Sequence, residues 1–382
     1  MSIEIQPSKF DAIRPFYDTE VNQALRSIVN DHMLQGIMHY AFPNVEAAAW
    51  KKQLESIEST HAFQGQIVAK ILERVLADSS EGLATSGFEA LDPEKAYLFI
   101  SNHRDIILDT SLINLTLFRH KLILTASAIG DNLLKKPLLY TLSRINRNFL
   151  VQRGLSPREL LQSSKLMSEY IATLIKNDNR SVWLAQREGR TKDGNDATHP
   201  GILKMLSMAA EKSDLIAYFK SLNIVPISIS YEYDPTDALK IPELLANATN
   251  EKYVKSENED FNTLLKGITG QKKHIHIYAG TPLNADLDAL SDITNANQLI
   301  KAVAQLIDKQ IISNYKLWAT NYMAYDILKA SDKYAAQYHF EEKEAFMHRM
   351  TTRIDGQEFD AVEHFLAMYA NPVVNKEELS VL

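Results

Sequence analysis

The sequence predicts an α/β domain with a largely parallel or mixed central sheet, flanked by helices and extended by helical regions at both ends. Two observations predict it. Short apolar runs alternate with helix-length patterns between residues 83 and 285. Strand signals are absent on either side of that stretch, while helical spacing persists there.

From residue 18 to 78 the pattern is helical. Phe63, Ile67, Ile71, Leu72, Val75 and Leu76 recur at helical spacing and make one apolar face, which reads as core packing. "LADSSEG" at 76–82 breaks it. Strand candidates follow: "AYLFI", "LILTAS", "NFLVQ", "VWLAQ", "IVPISISY" and "HIHIYAG". Helices are expected between most of them, at 110–119, 131–145, 157–176 and 200–211. Pro226, inside "IVPISISY", implies an edge, a bulge or a strand start, because proline cannot donate to a ladder. After "GTPLNADLD" at 280–288 the chain reads as helices again, including "NQLIKAVAQLIDKQII" and "FDAVEHFLAMY". The expected organisation is a helical N-terminal region at 1–82, an α/β domain at 83–285 and a helical C-terminal region at 286–382.

The bulk properties narrow the function. The 382 residues are 45% hydrophobic and 23% charged, ordinary values for a globular protein. With no cysteine there is no disulfide, thiol nucleophile or cysteine metal site. "MSIEIQPSKFDAIRPF" lacks the basic region and apolar core of a secretion signal. No apolar run approaches the roughly 20 residues that span a bilayer. The expectation is a soluble cytoplasmic protein. A net charge of −7 argues against a nucleic-acid partner. Residues 144–204, however, carry 11 Lys/Arg against 6 Asp/Glu, an excess of +5 that leaves −12 for the remainder. A basic stretch in an acidic protein suits one anionic ligand.

Four short segments carry chemistry. In "LFISNHRDIILDTS", 98–111, an apolar run ends in His103, with Asp105 and Asp109 close behind. A neutral imidazole takes a proton from a hydroxyl when a carboxylate holds its other nitrogen. Either aspartate is near enough in sequence, and Asp105 also stands where a helix cap is useful. The bland alternative is a polar turn before a helix. No second cluster accompanies His103 at metal-ligand spacing, so no metal is expected. In "AQREGRTKDGNDATHPGILKM", 185–205, glycines allow close backbone approach, and Arg187, Arg190, Lys192 and Lys204 offer donors suited to phosphate. Arg153 ends the strand candidate in "NRNFLVQRG". "NIVPISISYE" is the fourth segment. Neither a phosphate-binding P-loop, a nucleophile elbow nor a dinucleotide fingerprint is present.

Together and in this order, "NHRDIILD", "FLVQR", "EGRTKDG" and "IVPISISY" resemble the four blocks of the glycerolipid acyltransferase family. That family includes the glycerol-3-phosphate and 1-acylglycerol-3-phosphate acyltransferases, and the resemblance spans roughly residues 83–285. Two departures stand out. The family places four residues between its His and Asp; five separate His103 from Asp109, and one separates it from Asp105. The family's third-block arginine falls one residue later than Arg190.

The resemblance implies transfer of a fatty acyl group from a thioester, on coenzyme A or acyl carrier protein, to a hydroxyl of glycerol-3-phosphate or its monoacyl form. It implies His103 as base and Asp109 as the favoured orienting acid, with Asp105 the alternative. It implies a phosphate-binding set of Arg153, Arg187, Glu188, Gly189, Arg190, Thr191 and Lys192. No cofactor beyond the thioester co-substrate is implied, and lipid would be reached by peripheral membrane contact or as soluble substrates. The rival readings are a thioester hydrolase and a non-catalytic lipid- or carrier-binding protein.

Overall fold

The computed structural model describes residues 8–210, 214–354 and 359–381. The first seven residues of the segment read against a secretion signal lie outside these. Seven strands form one sheet: β1 Gly82–Ser86, β2 Leu98–Ser101, β3 Thr125–Gly130, β4 Asn148–Val151, β5 Ser181–Ala185, β6 Ile224–Tyr231 and β7 His274–Ala279. Their spatial order is β1-β7-β6-β2-β5-β3-β4. Every pairing is parallel except β6 with β7. The sheet is therefore mixed and mostly parallel, as the alternating pattern predicts.

Helices cover both faces, which is why β2 and β6 are buried along their whole length. On one face Leu98, Ile100, Val182, Leu184 and Ile224 pack under the helices Pro157–Lys176, Pro200–Ser207 and Ala296–Ser313. On the other, Phe99, Trp183, Val225, Ile227 and Ile277 meet the helices Ala69–Ser79 and Leu108–Arg119. The N-terminal helices bury their own apolar face around Val21, Leu25, Trp50 and Ile67, joined by Leu138 and Ile145. The last helices, Ala319–Leu328, Phe340–Arg353 and Phe359–Val381, make a further core around Phe346, Phe365 and Tyr369. The 157–176 helix begins and ends as expected. Pro157 occupies its first position, and the Ser156 N–H donates to Glu159 Oε2 at 2.9 Å.

Several expectations need correction. Pro226 lies in an interior strand, in register with Ile100 of β2. Its missing N–H falls on the β7 side, where the ladder begins only at Ile227, so a single rung is lost. The neighbouring rung survives because the Gly280 N–H donates to the Pro226 carbonyl at 2.8 Å. The 131–145 helix is a short turn, Asp131–Leu133, followed by Pro137–Ile145, since Pro137 sets a fresh helix start. "LILTAS" is strand only from Thr125 onward, where Asn114 Oδ1 accepts the Thr125 N–H at 2.8 Å. The 200–211 helix is Pro200–Ser207 with a final turn at Met208–Ala210; Glu211 lies outside the described residues. Strand β1 escaped the sequence reading because "GLATS" is a half-exposed edge strand with little apolar signal.

The parallel pairings bring the carboxyl ends of β2, β3, β4, β5 and β6 to one side. Loops after these strands carry His103, Asp131, Arg153, Arg187 and Glu232. In such sheets that side is where ligands bind.

Candidate active site

The first turn after β2 is fixed before any chemistry begins. Asn102 is fully buried. Its amide donates to the Ile229 carbonyl at 2.9 Å and accepts the Ile229 N–H at 2.8 Å, extending the β2–β6 ladder by one side chain. His103 follows at the mouth, its side chain 13% exposed. Its ring meets Trp183 edge-on, with centroids 5.4 Å apart. The Trp183 indole is itself held, donating to Ser101 Oγ at 2.9 Å.

The structure separates the two aspartates. Asp109, on the helix Leu108–Arg119, lies 2.8 Å from His103 Nδ1 through Oδ2. The same oxygen accepts the N–H groups of Arg104 at 2.5 Å and Asp105 at 2.9 Å. Its other oxygen accepts the Tyr231 hydroxyl at 2.9 Å. Asp105 faces away from the imidazole. Its Oδ1 accepts the N–H groups of Ile107 and Leu108 at 3.0 and 2.8 Å, capping the entry to the helix. Burial pushes the Asp105 carboxyl above its ordinary range, and the charge of Asp109 adds to the shift. A Cβ on Gly267 would stand 2.0 Å from Asp105 Oδ2, so this glycine lets the helix Glu259–Thr269 pass over the turn.

A carboxylate only accepts, so the Nδ1 proton sits in the bond to Asp109 and the neutral ring keeps a lone pair on Nε2. Among the described residues Nε2 has no hydrogen-bond partner. The pair can therefore take a proton from a hydroxyl that comes within hydrogen-bond reach of Nε2. Asp109→Asn should lower turnover by about 10²- to 10⁴-fold, because an amide N–H or a lone oxygen cannot serve all four donors. Asp105→Asn keeps an oxygen for the cap and should change turnover only a few fold. Steady-state rates of the two folded variants check this, and the reverse ranking rejects it.

The basic loop after β5 reaches this turn directly. The Thr191 N–H donates to the His103 carbonyl at 2.8 Å, and Gly189, at φ 71°, makes the turn that allows it. Arg190 is half-buried beside Asp105, with Nη1 buried and unpartnered among the described residues. Thr191 Oγ1 and both side-chain polar atoms of Gln186 are likewise buried without a partner. Buried polar atoms left open in this way mark places that a ligand or ordered water completes.

Other residues of the expected set are engaged elsewhere. Arg153 pairs with Glu188 at the rim. Lys192 turns to Glu243 at 2.6 Å. Arg187 stands half-buried at the strand end and makes no ion pair among the described residues. Sequence reasoning missed Tyr231, Asn102 and the pair in which Arg104 grips Asp196 through both oxygens, at 2.8 and 2.5 Å. Arg104 and Asn102 sat in the quoted motif, but their partners lie 92 and 127 positions along the chain. Among the described residues no group of three or more His, Asp or Glu could hold a metal. No described helix is long and apolar enough to cross a membrane.

Comparison with known proteins covers this region. Residues 83–230 match the family model described as Acyltransferase. This segment is an acyltransferase-family domain. The matched residues run from the second residue of β1 to the penultimate residue of β6 and contain His103, Asp109, Arg153 and the 187–192 loop, while Tyr231 lies just beyond. The glycerolipid acyltransferase resemblance thus falls on the segment that forms most of the sheet. A crystal structure of the 1-acyl-sn-glycerophosphate (LPA) acyltransferase from Thermotoga maritima is also similar. It is 12% identical, covering 75% of this chain and 91% of that one, with a TM-score of 0.37. No curated protein matches the chain.

Proposed function

We propose that the protein transfers a fatty acyl group from a thioester of coenzyme A or acyl carrier protein to a hydroxyl of glycerol-3-phosphate or 1-acylglycerol-3-phosphate. The observation that carries this reading is a His103–Asp109 pair tied through Thr191 to a loop bearing an unpartnered buried arginine nitrogen.

In the reaction, His103 Nε2 takes the acceptor's hydroxyl proton as the oxygen attacks the thioester carbon. Asp109 stabilises the imidazolium, and Tyr231 keeps the carboxylate aimed. The tetrahedral intermediate collapses with loss of the thiolate, which recovers the proton from Nε2. Arg190 and Arg153 hold the acceptor phosphate, with Glu188 positioning Arg153. Each step uses groups of the chain and the two substrates, without a metal. The work is done in the cytoplasm, with lipid met at the membrane surface.

Thioester turnover measured with and without the acceptor tests the reading. Acceptor-dependent ester formation supports it, whereas acceptor-independent release of fatty acid points to a hydrolase. Arg190→Ala and Arg153→Ala should raise the acceptor's apparent KM by roughly 10- to 150-fold, the worth of a charge-assisted hydrogen bond, with the donor's KM moving much less. Lysine should rescue either site only in part, lacking the bidentate fork. Equal weakening of both substrates rejects the assignment.

A further inference from the structure

The C-terminal helices leave a cleft against the carboxyl end of β6. Its walls include Arg104, Ser230, Tyr231, Tyr315, Lys316 and Pro372. Tyr231 is the residue that holds Asp109, so the cleft and the His103 pair share a wall. Lys376 stands at its edge, one turn after Pro372 on the helix Phe359–Val381, and donates to the Tyr315 carbonyl at 3.0 Å.

The carboxylates around this cleft are already matched. Asp196 is taken by Arg104 and the Tyr315 hydroxyl. Asp234, which also lines the cleft, is met by the buried Lys240. Asp237 is gripped by both Arg349 and Arg353. Among the described residues no carboxylate lies within ion-pair distance of Lys316 or Lys376. The two lysines feel each other: burial lowers the proton affinity of the Lys376 ammonium, and the charge of Lys316 lowers it further. The cleft therefore holds surplus positive charge beside the reacting pair.

We propose that this cleft binds the phosphate at the end of the thioester donor's pantetheine arm, with Lys316 and Lys376 as its cationic donors. Two ammonium groups that make no ion pair among the described residues match the two charges of the coenzyme A diphosphate, whereas a carboxylate would neutralise only one. The proposal rests on the acyl-transfer reading for its choice of ligand. Arg190 and Arg153 already take the acceptor phosphate in that reading, which leaves the donor, whose pantetheine arm ends in a diphosphate when it is carried on coenzyme A.

The test uses the full chain with Lys316→Ala, Lys376→Ala and the double variant. Inorganic phosphate should raise the Tm of the unaltered protein, and that shift should be lost in the double variant. It should persist in part in Arg153→Ala/Arg190→Ala. In steady-state kinetics the double variant should raise the apparent KM of one substrate by roughly 10- to 150-fold. A rise for acyl-CoA alone is the expected result; a rise for glycerol-3-phosphate alone overturns the proposal. Lys316 is exposed, so Lys316→Ala alone keeps the result readable if the double variant misfolds. Undiminished phosphate protection, with both KM values unmoved or moved equally, overturns the proposal. Phosphate protection in a protein that transfers no acyl group overturns the reaction and leaves the site standing.

Discussion

Replacing His103 by alanine is expected to lower acyl transfer by about 10²- to 10⁴-fold, the usual worth of a positioned acid–base group. The protein should stay folded. The change removes one hydrogen bond to Asp109 and the edge contact with Trp183. Asp109 keeps the N–H groups of Arg104 and Asp105 and the Tyr231 hydroxyl, so no buried carboxylate is left bare. The stability cost should be about 1.5–3 kcal/mol, the net value of one hydrogen bond to a charged group. Turnover and urea unfolding on the same preparation separate the two effects. Near-normal turnover in a folded variant would remove His103 from the mechanism.

The second large effect is on stability. Lys240→Met should cost about 3–5 kcal/mol, because it strands the charge of Asp234 in the interior. Lys240 is 1% exposed and Asp234 6%. Burial pushes the Asp234 carboxyl up, but Lys240 and the Thr236 donors outweigh it and leave the group below its ordinary range. A depressed carboxyl contributes stability above its unfolded pKa of 3.8 and loses it as pH falls through the folded value. Without Lys240 that contribution is gone, so the gap between variant and parent should be widest at neutral pH and narrow below about pH 4. Asp234→Asn added to Lys240→Met should recover much of the loss, since no charge then needs a partner. Urea midpoints at pH 7 and in acid decide it. A gap that does not change with pH would mean the lysine stem contributes by packing alone.

The helices and most strands were legible because their signals are local. Pro157, Ser156 and Glu159 announce a helix start within four positions of chain, and "VWLA" is apolar on both faces because helices cover both. The short edge strand β1 was not legible, since an edge strand needs little apolar surface. The interior place of Pro226 was hidden too, because its tolerance depends on where β7 stops pairing, 53 positions away in register with Ile227. Within the site, the choice between Asp105 and Asp109 could not be made by counting residues. It depends on how the turn after β2 closes.

The sequence by itself determined the class of fold and a small set of candidate residues, since apolar periodicity, capping residues and short motifs act over a few positions. Only the tertiary structure decided which residues meet. It turned Asp109 toward the imidazole and gave Asp105 to the helix entry. It brought Tyr231 to Asp109 across 122 positions, tied Thr191 to His103, and turned Lys192 to Glu243. It also set Lys316 and Lys376 near one cleft without a carboxylate beside them among the described residues. The physical reason is that charges and hydrogen bonds depend on distances of a few ångströms. Those distances exist only once the strands have paired and the helices have packed over them.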